Sequence, residues 1–297
     1  MTRLPLSALL GLLLATVSAS AQTPAPAAPA PAPSLRVMSY NIRNSHAKDG
    51  ENHWKFRQEI WTASVRAFDP DLLGTQEVLA DQYEDLRRLL PDYTVAGVAR
   101  DDGARAGEWA AIFWRTARFE QLGAGNFWLS ETPEKVGSRS WDAACVRICT
   151  WVRLRDRVTG RAFVFANTHF DHVSALARVE SARLMSERLP QLAEGGPVVV
   201  SGDFNCTEDG DAYATFTRPA AAGHLVFTDS FRAVHPVRGK DESSFSGFKG
   251  TIEGSRIDWI LHTPQFQARA AEIVRPASGR YPSDHYPVTA VLEWKPQ

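Results

Sequence analysis

The chain reads as an α/β protein on three observations. Val198-Val199-Val200 is a run of β-branched apolar residues, too short and stiff for a helix but suited to a buried strand. Two stretches with apolar residues near helical spacing, 54–68 and 174–189, each deliver the chain to such a strand. The strand-like runs then end repeatedly in polar residues, while no repeat of solenoid length is present.

Residues 35–43 alternate like a strand, with Asn41 and Arg43 two apart at its end and so on one face. In 54–68, Phe56, Ile60, Trp61, Val65 and Phe68 mark a helix closed by Asp69-Pro70. The strand 72–77 ends in Glu77, and a helix over 81–90 follows. A weaker strand, 93–98, enters the polar Gly-rich loop 100–108, and 110–114 and 118–129 are expected to form an antiparallel pair. The segment 130–142 carries Arg139, Trp141 and Asp142 and is by its length a candidate binding loop.

Strands at 145–154 and 162–168 flank the turn 156–160, and the second ends in Thr168-His169-Phe170-Asp171-His172. The helix 174–189 presents Leu176, Val179, Leu184 and Leu189 on one side, and His172 at its start either caps it or touches substrate. Beyond Asn205 the pattern is loop-rich to Lys249. Strands are expected at 256–261, which contains Asp258, and at 266–274, and the polar loop 281–288 carries Asp284 and His285 before the last strand.

Over 297 residues the apolar share is 44% and the aromatic share 10%, enough for a sizeable core. Arg3, the apolar run 4–17 and Ala19-Ser20-Ala21 have the form of a signal peptide over 1–21. Residues 22–33 form a Pro/Ala-rich linker, and 34–297 are read as one domain. The expected location is therefore secreted or periplasmic, with no stable membrane span and no protein partner implied. Loss of the leader removes only Arg3, leaving 32 basic against 34 acidic residues and no general attraction for a polyanion. Cys145, Cys149 and Cys206 do not make a disulfide framework. On one strand the first two stand about 13 Å apart, too far to bridge. All three are expected free unless Cys206 approaches one of them, and their spacing does not suit zinc.

In an extended chain Asp203 and Asn205 leave on one face, with Phe204 turned the other way. A carboxylate beside a carboxamide can activate and hold a water; Asp-x-Asn is also an ordinary turn sequence after a strand. The company of Asn41, Glu77, His169, Asp171, Asp258, Asp284 and His285 at other strand ends and loops favours a site. Carboxylates buried together need a compensating cation, and oxygen donors without a thiolate cluster favour Mg2+ (or Mn2+).

Met38-Ser39-Tyr40-Asn41, Gln76-Glu77, Thr168-His169, Gly202-Asp203-Phe204-Asn205, Ile257-Asp258 and Ser283-Asp284-His285 occur in this order. In these motifs the chain resembles the endonuclease/exonuclease/phosphatase (DNase I-like) superfamily over its whole mature length. The resemblance implies a four-layer α/β/β/α sandwich of two central, mostly antiparallel sheets flanked by helices, with the site where strand ends converge. It implies that Glu77 binds the metal with Asp284 close by, that Asp203 orients or deprotonates the attacking water and that Asn205 positions it. Asn41, His169 and His285 would hold the phosphate oxygens, and Asp258 would fix the tautomer of His285.

Abasic-site endonucleases of this superfamily carry an acid where this chain has Arg43; the arginine either grips phosphate or pairs at the surface. Arg43, Glu108, Arg139, Trp141, Arg147 and Asp171 are candidate substrate-binding residues. The implied activity is a secreted divalent-metal-dependent phosphoesterase, in the first place a phosphodiesterase, acting on a small-molecule, sugar-phosphate or nucleic-acid ester. The alternatives are a DNA or RNA nuclease and a silent phosphate-ligand binding protein.

Overall fold

The computed structural model describes residues 1–2, 33–218, 225–276 and 279–296, so the expected leader and linker fall almost wholly outside the described residues. Its frame is a pair of strand–helix–strand units, one in each of two sheets. In the first unit β1 (Ser34–Asn41), α1 (Gln58–Phe68) and β2 (Leu72–Gln76) follow one another, and the two strands pair in parallel. Next come α2 (Ala80–Leu89), β3 (Tyr93–Ala96), β4 (Ile112–Arg115), β5 (Phe119–Trp128) and β6 (Ile148–Asp156). The second unit comprises β7 (Ala162–His169), α3 (Ala175–Leu192) and β8 (Val198–Asp203), its strands again parallel. The chain ends with α4 (Asp211–Thr217), β9 (Thr228–Asp229), α5 (Ser230–Val234), β10 (Asp258–His262), β11 (Phe266–Ile273) and β12 (Val288–Trp294).

The six-stranded sheets run β11-β12-β1-β2-β4-β3 and β5-β6-β7-β8-β10-β9, and every pairing outside the two units is antiparallel. A parallel pair requires a crossover, and a crossover helix returns the second strand in the direction of the first. Each unit therefore brings two carboxyl ends to one edge: Asn41 and Gln76 in one sheet, His169 and Asp203 in the other.

The valine run shows why the chain stacks in four layers. Val199 packs between the sheets with Val37, Leu72, Phe165 and Leu292. Val198 and Val200 face outward under Ala182, Met185 and Leu189 of α3. On the other sheet Met38, Tyr40 and Leu73 pack outward against Trp61 and Val65 of α1 and Leu86 of α2. Strands covered on both faces have no solvent side, so they read as continuous apolar runs. Toward the site the inter-sheet layer turns polar. Asn167 donates to the carbonyls of Thr75 and Ala111, and its Oδ1 accepts from Gln76 Nε2 at 2.7 Å and Ser201 Oγ at 3.0 Å.

Several expectations are corrected. Residues 110–114 and 118–129 do not pair: β4 lies between β2 and β3, and β5 is the edge of the other sheet beside β6. Trp114 and Phe119 both enter the inter-sheet core, so the short connection passes the chain from sheet to sheet. Residues 54–56 form a separate 3-10 turn ahead of α1. Strand β6 starts at Ile148, which leaves Cys145 and Arg147 in the approach to it. All three cysteines are free. Among the described residues no helix is long and apolar enough to cross a membrane.

Candidate active site

The chain leaves three of these strands through left-handed residues: Arg43 (φ 59°), Glu77 (φ 60°) and Asn205 (φ 46°). Asparagine accepts this conformation readily, whereas glutamate and arginine adopt it at a cost of about 1 kcal/mol or more, the kind of strain that collects at functional sites. Asp203 and Asn205 consequently do not share a face of an extended strand. The backbone turns back, and Asn205 N–H donates to Asp203 Oδ1 at 3.0 Å.

Around Asp203, which is 1% exposed, the predicted residues close in from both sheets. Asn41 Nδ2 donates to Asp203 Oδ2 at 2.9 Å and to Glu77 Oε1 at 3.0 Å, and Asn41 Oδ1 accepts the Arg43 N–H. Asn41 is thus occupied in holding two carboxylates, not free to grip phosphate as the resemblance implies. Asn205 Nδ2 lies 3.0 Å from His169 Nε2. Asp258 starts β10 directly opposite Asp203, and its Oδ2 is 2.9 Å from His285 Nδ1, leaving His285 Nε2 3.7 Å from Asp203 Oδ2.

The two histidines are driven to opposite states. Burial lowers the His285 pKa, but the Asp258 and Asp203 carboxylates overcome it and raise it to about 10, so this ring is cationic at neutral pH. Burial and the neighbouring Arg147 and Arg100 charges hold His169 well below the ordinary histidine value, and it is neutral. Asp203 is pushed up to about 7, first by burial and then by the Asp258 charge, which suits a proton acceptor working near neutrality.

Glu77 and Asp284 border the same cleft. Burial works against ionisation of Glu77, yet His285 and hydrogen bonds from Asn41 and Asn44 lower its pKa. Asp284 stays raised, by burial and then by Glu77, despite His285 and Arg43 nearby. Two carboxylates that raise the cost of each other's charge are the expected surroundings of a hard divalent cation, and the all-oxygen donor set fits one. Asp203, Asp258 and His285 also bring ligand-type atoms together, with Asp258 Oδ2 and His285 Nδ1 already engaged with each other at 2.9 Å. Arg43 is held by Asp49 at 3.0 Å, with Asp284 at 3.6 Å, so its charge already offsets part of the acidic edge.

The cleft, about 1000 Å³, is also bordered by Glu108 and Arg147. Arg43 lines it too, whereas Arg139, Trp141 and Asp171 do not. Arg139 bonds the Ala144 carbonyl in a separate surface depression, and Trp141 lies beside Pro133 and Leu176 in another. Ser174 Oγ, which caps α3, also donates to the Trp141 carbonyl and ties the 130–142 segment to that helix. Asp171 is 1% exposed and accepts the N–H groups of Ala144, Val173 and Ser174, a structural clasp in place of a ligand contact.

Sequence reasoning missed Phe245, Phe248, Lys249 and Thr251, which also line the cleft. Their signal was two aromatic residues in a Ser/Gly-rich loop without strand or helix periodicity. It also missed Arg57, fully buried, which donates to the carbonyls of Ile42, Arg43 and Pro282 and so pins two site loops together.

A model of the endonuclease/exonuclease/phosphatase family matches residues 38–285. The chain is similar to the solved endonuclease/exonuclease/phosphatase from Bacteroides vulgatus, at 37% identity and TM-score 0.82, covering 89% of this chain and 100% of that one. A mannosyl-6-phosphatase from Bacteroides thetaiotaomicron is 36% identical with TM-score 0.78, covering 88% and 100%. Nocturnin from Drosophila melanogaster is 25% identical over 82% of this chain and 42% of its own length; the chain spans less than half the length of the curated relatives it matches.

Proposed function

The chain belongs to the endonuclease/exonuclease/phosphatase family, and on that premise we propose that it is an exported, divalent-metal-dependent hydrolase of small-molecule phosphate esters. One observation carries the reading. A buried aspartate held near neutral pKa stands between a cationic and a neutral histidine, with two further carboxylates at the cleft edge.

Asp203 takes the proton of the attacking water, which Asn205 at the same strand end orients. The Nε2–H of cationic His285 donates to a phosphate oxygen, and Asp258 keeps that ring charged and aimed. Asn41 holds Glu77 and Asp203 at fixed separation. Glu77 and Asp284 would hold the cation, which supplies positive charge against the phosphate oxygens as charge gathers on them.

The similarity to a mannosyl-6-phosphatase over nearly the whole chain supports a monoester on a sugar, where the sequence alone favoured a diester. The near balance of charge gives no support to a polyanionic substrate. The leader-like N-terminus supports export.

The test is phosphate release from nitrophenyl phosphate and bis-nitrophenyl phosphate with magnesium, manganese or chelator, for the protein and for Asp203→Ala. Metal-dependent turnover falling by about 10²–10⁴ in the variant is expected for a lost general base. Turnover untouched by Asp203→Ala would overturn the assignment, and faster diester cleavage would restore the phosphodiesterase reading. Metal binding without any turnover would favour a silent binding protein.

A further inference from the structure

We propose that the cleft wall formed by Arg100, Glu108 and Arg147 reads hydroxyl groups on the leaving group, so that the esters selected by this site are polyol phosphates, sugars above all. The inference rests on the phosphoesterase reading and adds the part of the substrate that departs.

The wall adjoins the chemistry. His169 has Nε2 3.5 Å from Asp203 and Nδ1 3.9 Å from Glu108 Oε2, so Glu108 stands one imidazole ring from the attacking group. The wall offers donors and acceptors together. Arg100 is paired with Glu108, and Arg147, 4% exposed, lies 3.6 Å from Asp171 and 3.0 Å from His172 Nδ1. Arg100 Nε, Arg147 Nε and Nη1 and His169 Nδ1 have no hydrogen-bond partner. A small pocket of about 10 Å³ lined by Arg100, Glu108, Arg147 and His169 has room for one water, which accepts at most two hydrogen bonds and cannot satisfy them all.

Charge and shape decide between ligands. Two arginines face two carboxylates, so the wall has no excess of positive charge for a second phosphate, and Glu108 would repel one. A hydroxyl both donates and accepts, which is what a carboxylate beside a guanidinium asks of it. In the same cleft Phe245 is 45% exposed and sets its ring edge-on to His285, 5.1 Å between centroids, and Phe248 is a further lining residue. A pyranose has hydroxyls at its rim and an apolar C–H face, and it answers both groups. A nucleobase also carries donors and acceptors at its edge, but it offers a flat π face in place of hydroxyls that each donate and accept.

The test crosses substrate with residue. Phosphate release is measured for mannose 6-phosphate, its 2-, 3- and 4-deoxy analogues and nitrophenyl phosphate, with the full chain and with Glu108→Gln. At least one deoxy analogue should lose about tenfold or more in kcat/KM with the native protein, and that loss should shrink to about threefold or less in Glu108→Gln. Equal losses in both proteins, or native protein indifferent to every deoxy analogue, would overturn the inference. The second of these outcomes needs no variant, so a misfolded Glu108→Gln cannot protect the idea. Turnover of nitrophenyl phosphate without a gain on the hexose phosphate defeats the hydroxyl reading alone. Release from none of these monoesters defeats the monoesterase reading and this inference with it.

Discussion

Asp203 and His285 set the expected pH dependence. The proposed step needs Asp203 ionised and His285 protonated, so kcat/KM should rise with pH up to about 7, or lower where a bound cation draws the proton off, and fall again near 10. Asp258→Asn removes the largest influence raising His285, and the basic limb should move to lower pH in a rate profile. An unmoved basic limb would assign it to another group.

Asp171 predicts a second dependence, on stability. Burial opposes its charge, but N–H groups of Ser174, Ala144 and Val173 and the Arg147 charge hold its pKa at about 2. The folded value lies below the unfolded one, so the stabilisation, about 2–3 kcal/mol, is complete above roughly pH 4 and disappears as pH falls through 2. Asp171→Asn should lower denaturant-derived stability by about that amount at pH 7 and lessen its dependence on pH over this window. Identical acid unfolding of the two proteins would count against the clasp. The positions most legible in the sequence were those at strand ends. Asp171 was misread because a buried backbone acceptor and a ligand contact look alike until burial is known.

Three strands that lead to the site, β2, β7 and β8, are tied together by the polar layer of Gln76, Asn167 and Ser201. Gly74 of β2 lies against that layer: a Cβ there would lie 2.1 Å from Ser201 Oγ and 2.5 Å from Asn167 Oδ1. Gly74→Ala should therefore cost about 1–3 kcal/mol through overpacking and lower the melting temperature by several degrees, with some loss of activity as β2 and Glu77 shift. An unchanged melting temperature would mean that the polar layer is looser than drawn. Periodicity identified most strands and helices because their apolar faces must be buried wherever they lie. It misplaced the partnership of 110–114 and 118–129, since hydrophobic alternation says that a strand has a buried face and nothing about which sheet provides it.

The two strand–helix–strand units join the sheets at the edge where Asn41 bridges Glu77 and Asp203, and a divalent cation there would bind only the folded chain. Magnesium or manganese at about 100 times its dissociation constant should then add about 2.7 kcal/mol to stability, seen as a rise in melting temperature that Glu77→Gln abolishes. A metal-induced rise undiminished in that variant would place the cation elsewhere.

The chain by itself determined the α/β class, the order of most elements, the acids, amides and histidines at strand ends and, through its motif order, the family. Those features are local: they follow from side-chain period, backbone stiffness and residue chemistry. Only the tertiary structure decided that Asn41 is used up between two carboxylates, that Arg139 and Trp141 lie outside the cleft, and that Phe245 and Phe248 line it together with Glu108 and Arg147. These depend on which distant groups compete for the same hydrogen bonds and space, a matter settled when the two sheets pack together and not before.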